Sequence, residues 1–176
     1  SGSSRVLKAM NRHYDRETYL DEVRRLKELI PDIVLTSDII VGFPGETEEE
    51  FEETLSLLEE VRFDSLFTFI FSPRVGTPAA KMDDPVPMTE KKKWFQRLLD
   101  TQNRISVEKH KEYIGRVLPV LVEEENPADA VNNLNCRTDG WRLVHVPGDV
   151  SLLGQRKKVK ITDCSTWSLF GEFVEE

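Results

Sequence analysis

The chain contains 176 residues, which is enough for one large domain or two small ones. Hydrophobic residues make up 39% of it and charged residues 32%, a balance that excludes a disordered protein and predicts a soluble, globular one. No apolar run reaches the roughly 20 residues of a membrane span, and the first residues show no signal peptide, so we expect a cytoplasmic protein without membrane contact. A net charge of −8 excludes a nucleic-acid binder that depends on a broad basic surface, but not one with a local basic face.

The beginning of the chain predicts a helix followed by a strand. Asp15 is a suitable N-cap for a helix to about Ile30, and Pro31 ends that helix. Ile33–Val41 is mostly β-branched and apolar on both sides of a polar centre, which indicates a buried strand of a parallel sheet. Asp38 lies inside this strand, and a carboxylate in an apolar strand needs a partner or a ligand.

A glycine-rich turn follows the strand and predicts the start of another helix. Gly42 and Gly45, with a proline between them, force a sharp exit from the strand. Thr47 and Glu50 have the spacing of a capping box, so we expect a helix from there to about Val61. A strand, a glycine turn and a capped helix form half of a βα unit, and such units bind ligands at the carboxyl ends of their strands.

A second strand repeats this arrangement. Asp64–Ser72 is apolar and aromatic, and a loop rich in glycine and proline then presents Arg74. Because the carboxyl ends of parallel strands share one edge, we expect Asp38 and Arg74 at the same edge of the sheet. A single loop arginine is usually only solvated, so it is the pairing of two strand ends that favours a binding site there.

The remaining sequence predicts a long helix and then a small all-β domain. We expect the helix to run from Thr89 to about Tyr113, and we interpret Lys91–Lys93 near its start as a solvated patch rather than as phosphate contacts. After Gly115 the strands are short and separated by turn residues, including a hairpin turn at Asp139. This spacing predicts a small closed barrel.

The sequence shows no recognisable metal site or hydrolytic centre. Cys136 and Cys164 lie far apart, and we expect two reduced thiols rather than a disulfide. The histidines are scattered, and no C-x-x-C spacing is present. No nucleophile lies beside a suitable base, which argues against an unrelated α/β-barrel hydrolase.

Three blocks of this sequence resemble the radical-SAM tRNA methylthiotransferases. Ser1–Arg12 is similar to the family's S-G-S-x-x-[VI]-L-x-x-M-x-R segment, which argues against reading the first serines as an expression-tag scar. Asp38–Thr47 is similar to D-I-I-V-G-F-P-G-E-T, and Phe71–Ala79 is similar to Y-S-x-R-x-G-T-x-A, although Phe71 replaces the usual tyrosine. The tail from about Tyr113 resembles the family's TRAM domain, a small RNA-binding β-barrel.

The resemblance implies an α/β fold in residues 1–112, formed by the C-terminal βα units of a partial TIM-like radical-SAM barrel. It implies an all-β, OB-like TRAM barrel in residues 113–176. The parent enzyme would add a methylthio group to C2 of N6-isopentenyladenosine next to the anticodon of tRNA, with S-adenosylmethionine and two 4Fe-4S clusters as cofactors. The cysteines of both clusters are absent from this chain, so we expect a C-terminal portion of such an enzyme that is inactive by itself.

The resemblance also implies where the cofactor lies. Residues expected around S-adenosylmethionine are Ser1, Ser3, Arg12, Asp38, Gly42, Glu46 and Arg74. Of these, Arg74 would reach either the cofactor or the tRNA anticodon stem-loop. No residue of this chain is expected to be catalytic or to bind a metal.

An alternative interpretation is a non-catalytic RNA-binding module that acts through the barrel alone. Trp141 or Trp167 would stack on bases. The expected phosphate contacts are Arg142, Arg156, Lys157, Lys158 and Lys160. The tail holds more acidic than basic residues, so such binding must be local. In either case we expect self-association, because two strands of an incomplete barrel have unpaired edges and an uncovered apolar face.

Overall fold

A computed structural model describes residues 1–174, and contacts divide these residues into two units. The first unit, residues 1–105, contains α1 (Ser4–Ala9), α2 (Arg16–Leu29), β1 (Thr36–Val41), α3 (Glu48–Val61), β2 (Ser65–Ile70) and most of α4 (Met88–Lys111). The second unit starts at residue 106 and contains β3 (Val117–Glu125), β4 (Leu134–Thr138), β5 (Leu143–Val146), β6 (Arg156–Cys164) and β7 (Leu169–Phe173). The predicted domain boundary after residue 112 stays a prediction.

The helix starts follow from capping residues that the sequence identifies. The Asp15 side chain accepts a hydrogen bond from the Thr18 amide and caps α2. Thr47 and Glu50 form the predicted capping box, and three glutamates in the first turn of α3 suit the positive end of its dipole. The predicted span of α3 is therefore confirmed. Helix α4 begins at Met88, one residue before its predicted start at Thr89. Thr89 therefore lies inside the helix.

The two strands of the first unit form a parallel pair. Their register joins Asp38 to Phe67 and Val41 to Ile70. Burial alternates along β1, because Ile39 and Val41 are buried whereas Asp38 is exposed. The prediction of a strand buried throughout is therefore wrong, and β1 is also shorter than predicted. An apolar run cannot tell which face of a strand is covered, and here the helices cover only one.

The other side of this pair, which we call the open sheet face, lacks a covering layer in this structure. Its residues are Thr36, Asp38 and Ile40 of β1 and their register partners Ser65, Phe67 and Phe69 of β2. Phe67 is 64% exposed and Phe69 is 52% exposed, which leaves large aromatic surface in water. The predicted uncovered apolar face is thus present in the structure.

The covered face of the sheet packs on the helices. Phe51 of α3 stacks on Trp94 of α4 with ring centroids 5.4 Å apart and rings nearly parallel. Leu58 and Leu98 from the same two helices and Phe63 after α3 are fully buried with them. This core fixes α3 and α4 against β1, and it therefore holds the turn between β1 and α3 in place.

The second unit is a closed five-stranded barrel in the order β3-β4-β5-β7-β6. All neighbouring pairs are antiparallel except β5 and β7, which are parallel. Alternate apolar side chains point inward and form its core, including Val122, Leu134, Val144 and Leu169. The small closed barrel predicted from the spacing of turns is confirmed.

The hairpin between β4 and β5 differs in detail from the predicted one. Trp141 has a φ of 61°, whereas Gly140 does not have a positive φ, so the left-handed residue is the tryptophan. As a result β5 begins at Leu143 rather than at Trp141. Within residues 1–174, no helix is long and apolar enough to cross a membrane.

Candidate functional site

The turn after β1 and the loop after β2 leave the sheet at the same edge. The Phe71 amide donates to the Val41 carbonyl at 2.8 Å, so strand pairing continues just past the end of β2. Phe43 in the turn packs edge-on against Phe71, with ring centroids 5.2 Å apart. Two separate segments of chain are therefore fixed to each other at the carboxyl edge, where parallel α/β folds bind ligands.

A buried carboxylate closes the turn. Glu46 is 1% exposed, and its Oε2 accepts hydrogen bonds from the amides of Gly42 at 2.5 Å and Phe43 at 3.2 Å. Gly42 has a φ of 72°, a left-handed conformation that glycine adopts without strain. Burial raises the pKa of Glu46, although these two amide donors act in the opposite direction. The predicted role of Gly42 and Glu46 in shaping the turn agrees with this geometry.

One oxygen of the Glu46 carboxylate, Oε1, is buried without a hydrogen bond among the described residues. Leaving a buried polar atom unsatisfied costs about 1–3 kcal/mol. Because the protein encloses this atom, it is an unsatisfied group inside the turn and is not exposed to a bound molecule.

Lys91 supports the same turn from the first part of α4. Its side chain is only 2% exposed, and its Nζ donates to the Gly42 carbonyl at 2.8 Å and to the Asp84 carboxylate. A Cβ on Gly42 would lie 2.5 Å from Cδ of Lys91, so glycine is needed for this close packing as well. The interpretation of Lys91 as solvated is therefore wrong, whereas Lys92 is exposed as expected.

The serine-rich start of the chain docks beside the turn. Ser3 is 2% exposed, and its Oγ donates to Glu50 at 3.4 Å. Arg5 donates to the Gly45 carbonyl at 2.6 Å and forms an ion pair with Glu50. The Oγ of Ser1 accepts a hydrogen bond from the Ser3 amide at 3.2 Å. The structure thus brings the predicted residues Ser1, Ser3, Gly42 and Glu46 together.

Three predicted residues lie at the periphery of this group. Arg12 is exposed, and its amide donates to the Leu7 carbonyl at 2.9 Å. Asp38 is exposed on the open sheet face and, together with Ser1 and Tyr14, lines a cavity. Its predicted burial is therefore wrong. Arg74 is exposed in the loop after β2, where its carbonyl accepts hydrogen bonds from Thr77. Asp38 is the third of the six residues of β1, and Arg74 lies four residues beyond the end of β2, so their shared edge and their cofactor roles stay predictions.

The barrel carries a second group of predicted residues on its outer surface. Arg156, Lys158 and Lys160 alternate along β6 and are all exposed, and we call them the cation row. They pair in register with Leu121, Pro119 and Val117 of β3. Positive charges beside apolar side chains form the kind of surface that single-stranded nucleic acids bind.

Two of the predicted phosphate contacts are placed differently. Arg142 is 8% exposed, and its guanidinium lies 4.6 Å from the centroid of the Tyr113 ring. Lys157 is partly buried and points away from the cation row, because side chains alternate along a strand. These positions disfavour direct phosphate contact by Arg142 and Lys157. Trp141 and Trp167 are both highly exposed, at 78% and 73%.

The two cysteines are free thiols, as expected. Burial raises the pKa of Cys136 to about 11, which disfavours the thiolate that binds iron. No group of three or more metal-ligating side chains occurs within residues 1–174. The described residues therefore do not fit an iron–sulfur cluster.

Two family models match this chain. Residues 1–58 match the Radical SAM superfamily, and residues 111–174 match the TRAM domain. Three curated relatives share the name tRNA-2-methylthio-N(6)-dimethylallyladenosine synthase. The relative from Anoxybacillus flavithermus is 56% identical over 178 residues, which cover 100% of this chain and 33% of the relative. A Bacillus cereus relative is 55% identical over 179 residues (100% of this chain, 34% of the relative), and one from Acetivibrio thermocellus is 52% identical over 174 residues (99% and 36%).

The chain is homologous to the radical-SAM tRNA methylthiotransferases. It spans about a third of the length of the curated relatives that it matches. The family resemblance inferred from the three sequence blocks is therefore confirmed. The match implies S-adenosylmethionine and iron–sulfur chemistry for the methylthiotransferases as a family.

The buried lysine beside the turn yields a stability prediction. We expect Lys91→Met to lower the free energy of unfolding by about 2 kcal/mol, because the Gly42 carbonyl loses a buried donor and Asp84 loses its cation. Urea denaturation monitored by circular dichroism would measure the change. Lys92→Met, at the exposed neighbouring position, is the matched control and should stay within about 0.5 kcal/mol. Equal stabilities for the two variants would show that the Lys91 contacts do not support the turn.

Proposed function

We propose that this chain supplies part of the S-adenosylmethionine site and an RNA-binding surface of a tRNA methylthiotransferase. The parent enzyme would add a methylthio group to C2 of N6-isopentenyladenosine next to the anticodon. The observation that carries the proposal is the carboxyl edge of the sheet, where the turn after β1 and the loop after β2 are fixed to each other through Phe43 and Phe71. The names of the relatives support the choice of nucleoside.

The cofactor would lie against the turn and the open sheet face. Gly42 and Glu46 would form the floor under its adenine, while Ser1, Ser3 and Asp38 would offer polar contacts along one side. Arg12 and Arg74 are exposed and would reach the cofactor or the RNA from the periphery. The bound cofactor and the clusters of the parent enzyme would supply the radical and sulfur chemistry at C2, while the residues named above would hold S-adenosylmethionine. This chain contributes positioning, because it contains no cysteine set for either cluster.

The barrel would hold the tRNA anticodon stem-loop. Its cation row offers three exposed positive charges to phosphates, and the adjacent apolar residues of β3 offer contact surface to sugars and bases. The tail holds more acidic than basic residues, so the contact would be confined to this strip. The cytoplasmic location expected from the sequence stays a prediction.

A second candidate function is an RNA-binding module without catalysis. The closed barrel favours it, because that unit has its own core and a charged outer strip. The two functions differ in what this chain does alone. A module would bind tRNA unaided with an affinity that falls as salt rises, whereas part of an enzyme would need the remaining protein for tight binding.

A chimera tests the enzymatic function directly. We expect activity when this chain replaces the matching third of the Bacillus cereus relative, in a host that lacks its own methylthiotransferase. Mass spectrometry of digested tRNA should then detect 2-methylthio-N6-isopentenyladenosine. This chain expressed alone should produce none.

The control is the same relative with its matching third deleted. If the chimera is folded and carries both clusters but leaves the tRNA unmodified, the proposed activity is contradicted. Modification by this chain alone would also contradict the proposal, because the cluster cysteines would then be dispensable.

We also propose that the chain by itself self-associates through the open sheet face and the unpaired edges of β1 and β2, with a second copy as the covering layer. Sedimentation velocity at high concentration should detect dimers or larger species. Replacing both Phe67 and Phe69 with lysine should shift the chain to monomer, because charge cannot be buried on this face. Val75→Lys, at an exposed apolar position in the loop after β2, should not shift the chain to monomer. A monomeric unmodified chain at high concentration would contradict this proposal.

A further inference from the structure

The hairpin between β4 and β5 has tryptophan where glycine is expected. The Trp141 amide donates to the Thr138 carbonyl at 3.0 Å, and the Thr138 amide donates to the Arg142 carbonyl at 3.1 Å. These bonds close a loop of three residues, Asp139, Gly140 and Trp141. In such loops the third residue takes the left-handed conformation, and glycine is the residue that does so without cost. Here Gly140 occupies the position before it.

The backbone of Trp141 is strained, and packing of its side chain within this chain does not offset the strain. A positive φ is rare for a bulky residue. The indole is 78% exposed, so burial within the chain does not offset the cost. Backbone strain at an exposed aromatic residue is a pointer to function, because stability alone would favour the order Trp-Gly over Gly-Trp here.

The hairpin also lies at one end of the cation row. Asp139 pairs with Arg156 at 2.9 Å, and the Trp141 carbonyl accepts a hydrogen bond from Arg137 at 3.4 Å. Leu121 of β3 pairs in register with Arg156 on one side and with Arg137 on the other. Two arginines and an apolar side chain therefore lie in a line beside the hairpin that carries Trp141.

The acidic partners of these arginines do not block the surface. Arg156 and Asp139 are both mostly exposed, and Arg137 pairs with Glu123 at the surface. Exposed pairs of this kind contribute little, so a phosphate can replace the carboxylate. The line of arginines is thus available to a polyanion.

We propose that Trp141 is a stacking platform for an unpaired nucleobase, in an RNA single strand whose phosphates follow the cation row. The inference rests on the proposed function, since it assumes that RNA binds this side of the barrel. It adds to that function the residue that binds a base, Trp141, and the left-handed backbone conformation of that residue. Stacking on an aromatic ring tolerates any base, so this contact would add affinity rather than sequence specificity.

The other exposed tryptophan is placed differently. Trp167 lies in the turn between β6 and β7, and its amide donates to Ser165 Oγ at 3.2 Å. Its φ is not positive, so its backbone shows no comparable strain. It also lies beyond the C-terminal end of β6, whereas Arg156 at the start of β6 contacts the Trp141 hairpin. The structure therefore favours Trp141 as the platform.

Binding of a labelled anticodon stem-loop RNA to this chain tests the proposal by fluorescence anisotropy. Trp141→Gly should weaken binding about tenfold or more, because the stacked base loses its platform. The same variant should unfold at an equal or higher temperature, because glycine relieves the strain. Exchanging Gly140 and Trp141, so that the loop reads Asp-Trp-Gly, should likewise weaken RNA binding without lowering the unfolding temperature. Trp141→Phe should keep most of the affinity, and Trp167→Phe should bind as the unchanged chain does.

The possible results separate this inference from the function on which it rests. If Trp141→Gly binds RNA as tightly as the unchanged chain while Lys158→Glu with Lys160→Glu abolishes binding, the stacking role is wrong and the RNA surface stands. If Trp141→Gly lowers the unfolding temperature, the strain argument is wrong. If only the chimera described above binds the stem-loop, the same variants are compared in the chimera. If neither the unchanged chain nor the chimera binds it at any salt concentration, both the stacking role and the RNA surface are contradicted.

Discussion

The candidate cofactor site depends on one hydrogen-bonded carboxylate. Glu46 accepts the amides of Gly42 and Phe43 and thereby closes the turn in which β1 ends. Thr47 follows at once and starts α3, so the position of that helix is set by the same turn. The Glu50 side chain, one helical turn later, accepts hydrogen bonds from Ser3 and Arg5 at the start of the chain. Loss of the Glu46 contacts would release all of these groups together.

The carboxyl edge of the sheet buries more polar groups than the stability of the fold requires. A carboxylate and an ammonium group are both buried at the turn. Glu46 accepts hydrogen bonds from backbone amides, whereas Lys91 donates to the Gly42 carbonyl and pairs with Asp84. Burying charged groups is costly, and proteins retain them where they shape a site. Phe43 and Phe71 add a rigid aromatic contact between the two strand ends. The result is a preorganised edge, which is what a bound cofactor needs from its protein.

The regular features of the fold could be predicted from local sequence. Capping residues set the starts of α2 and α3, and the spacing of short strands predicted the closed barrel. The burial of Asp38 could not be predicted, because its strand is apolar on both faces and sequence does not tell which one is covered. Lys91 was missed because its partners, the Gly42 carbonyl and Asp84, come together only in the folded chain. Trp141 was recognised as aromatic and exposed, but its left-handed backbone is a property of the closed hairpin.

Hydrogen–deuterium exchange of the chimera, with and without S-adenosylmethionine, tests the central claim most directly. The Glu46 turn is proposed to lie against the adenine of the cofactor, so amides of residues 38–46 should exchange more slowly when it is bound. The barrel strands, which have no role in cofactor binding, serve as the internal reference and should not change. Slower exchange elsewhere in the chimera with residues 38–46 unaffected would contradict the account, because the cofactor would then bind away from this edge.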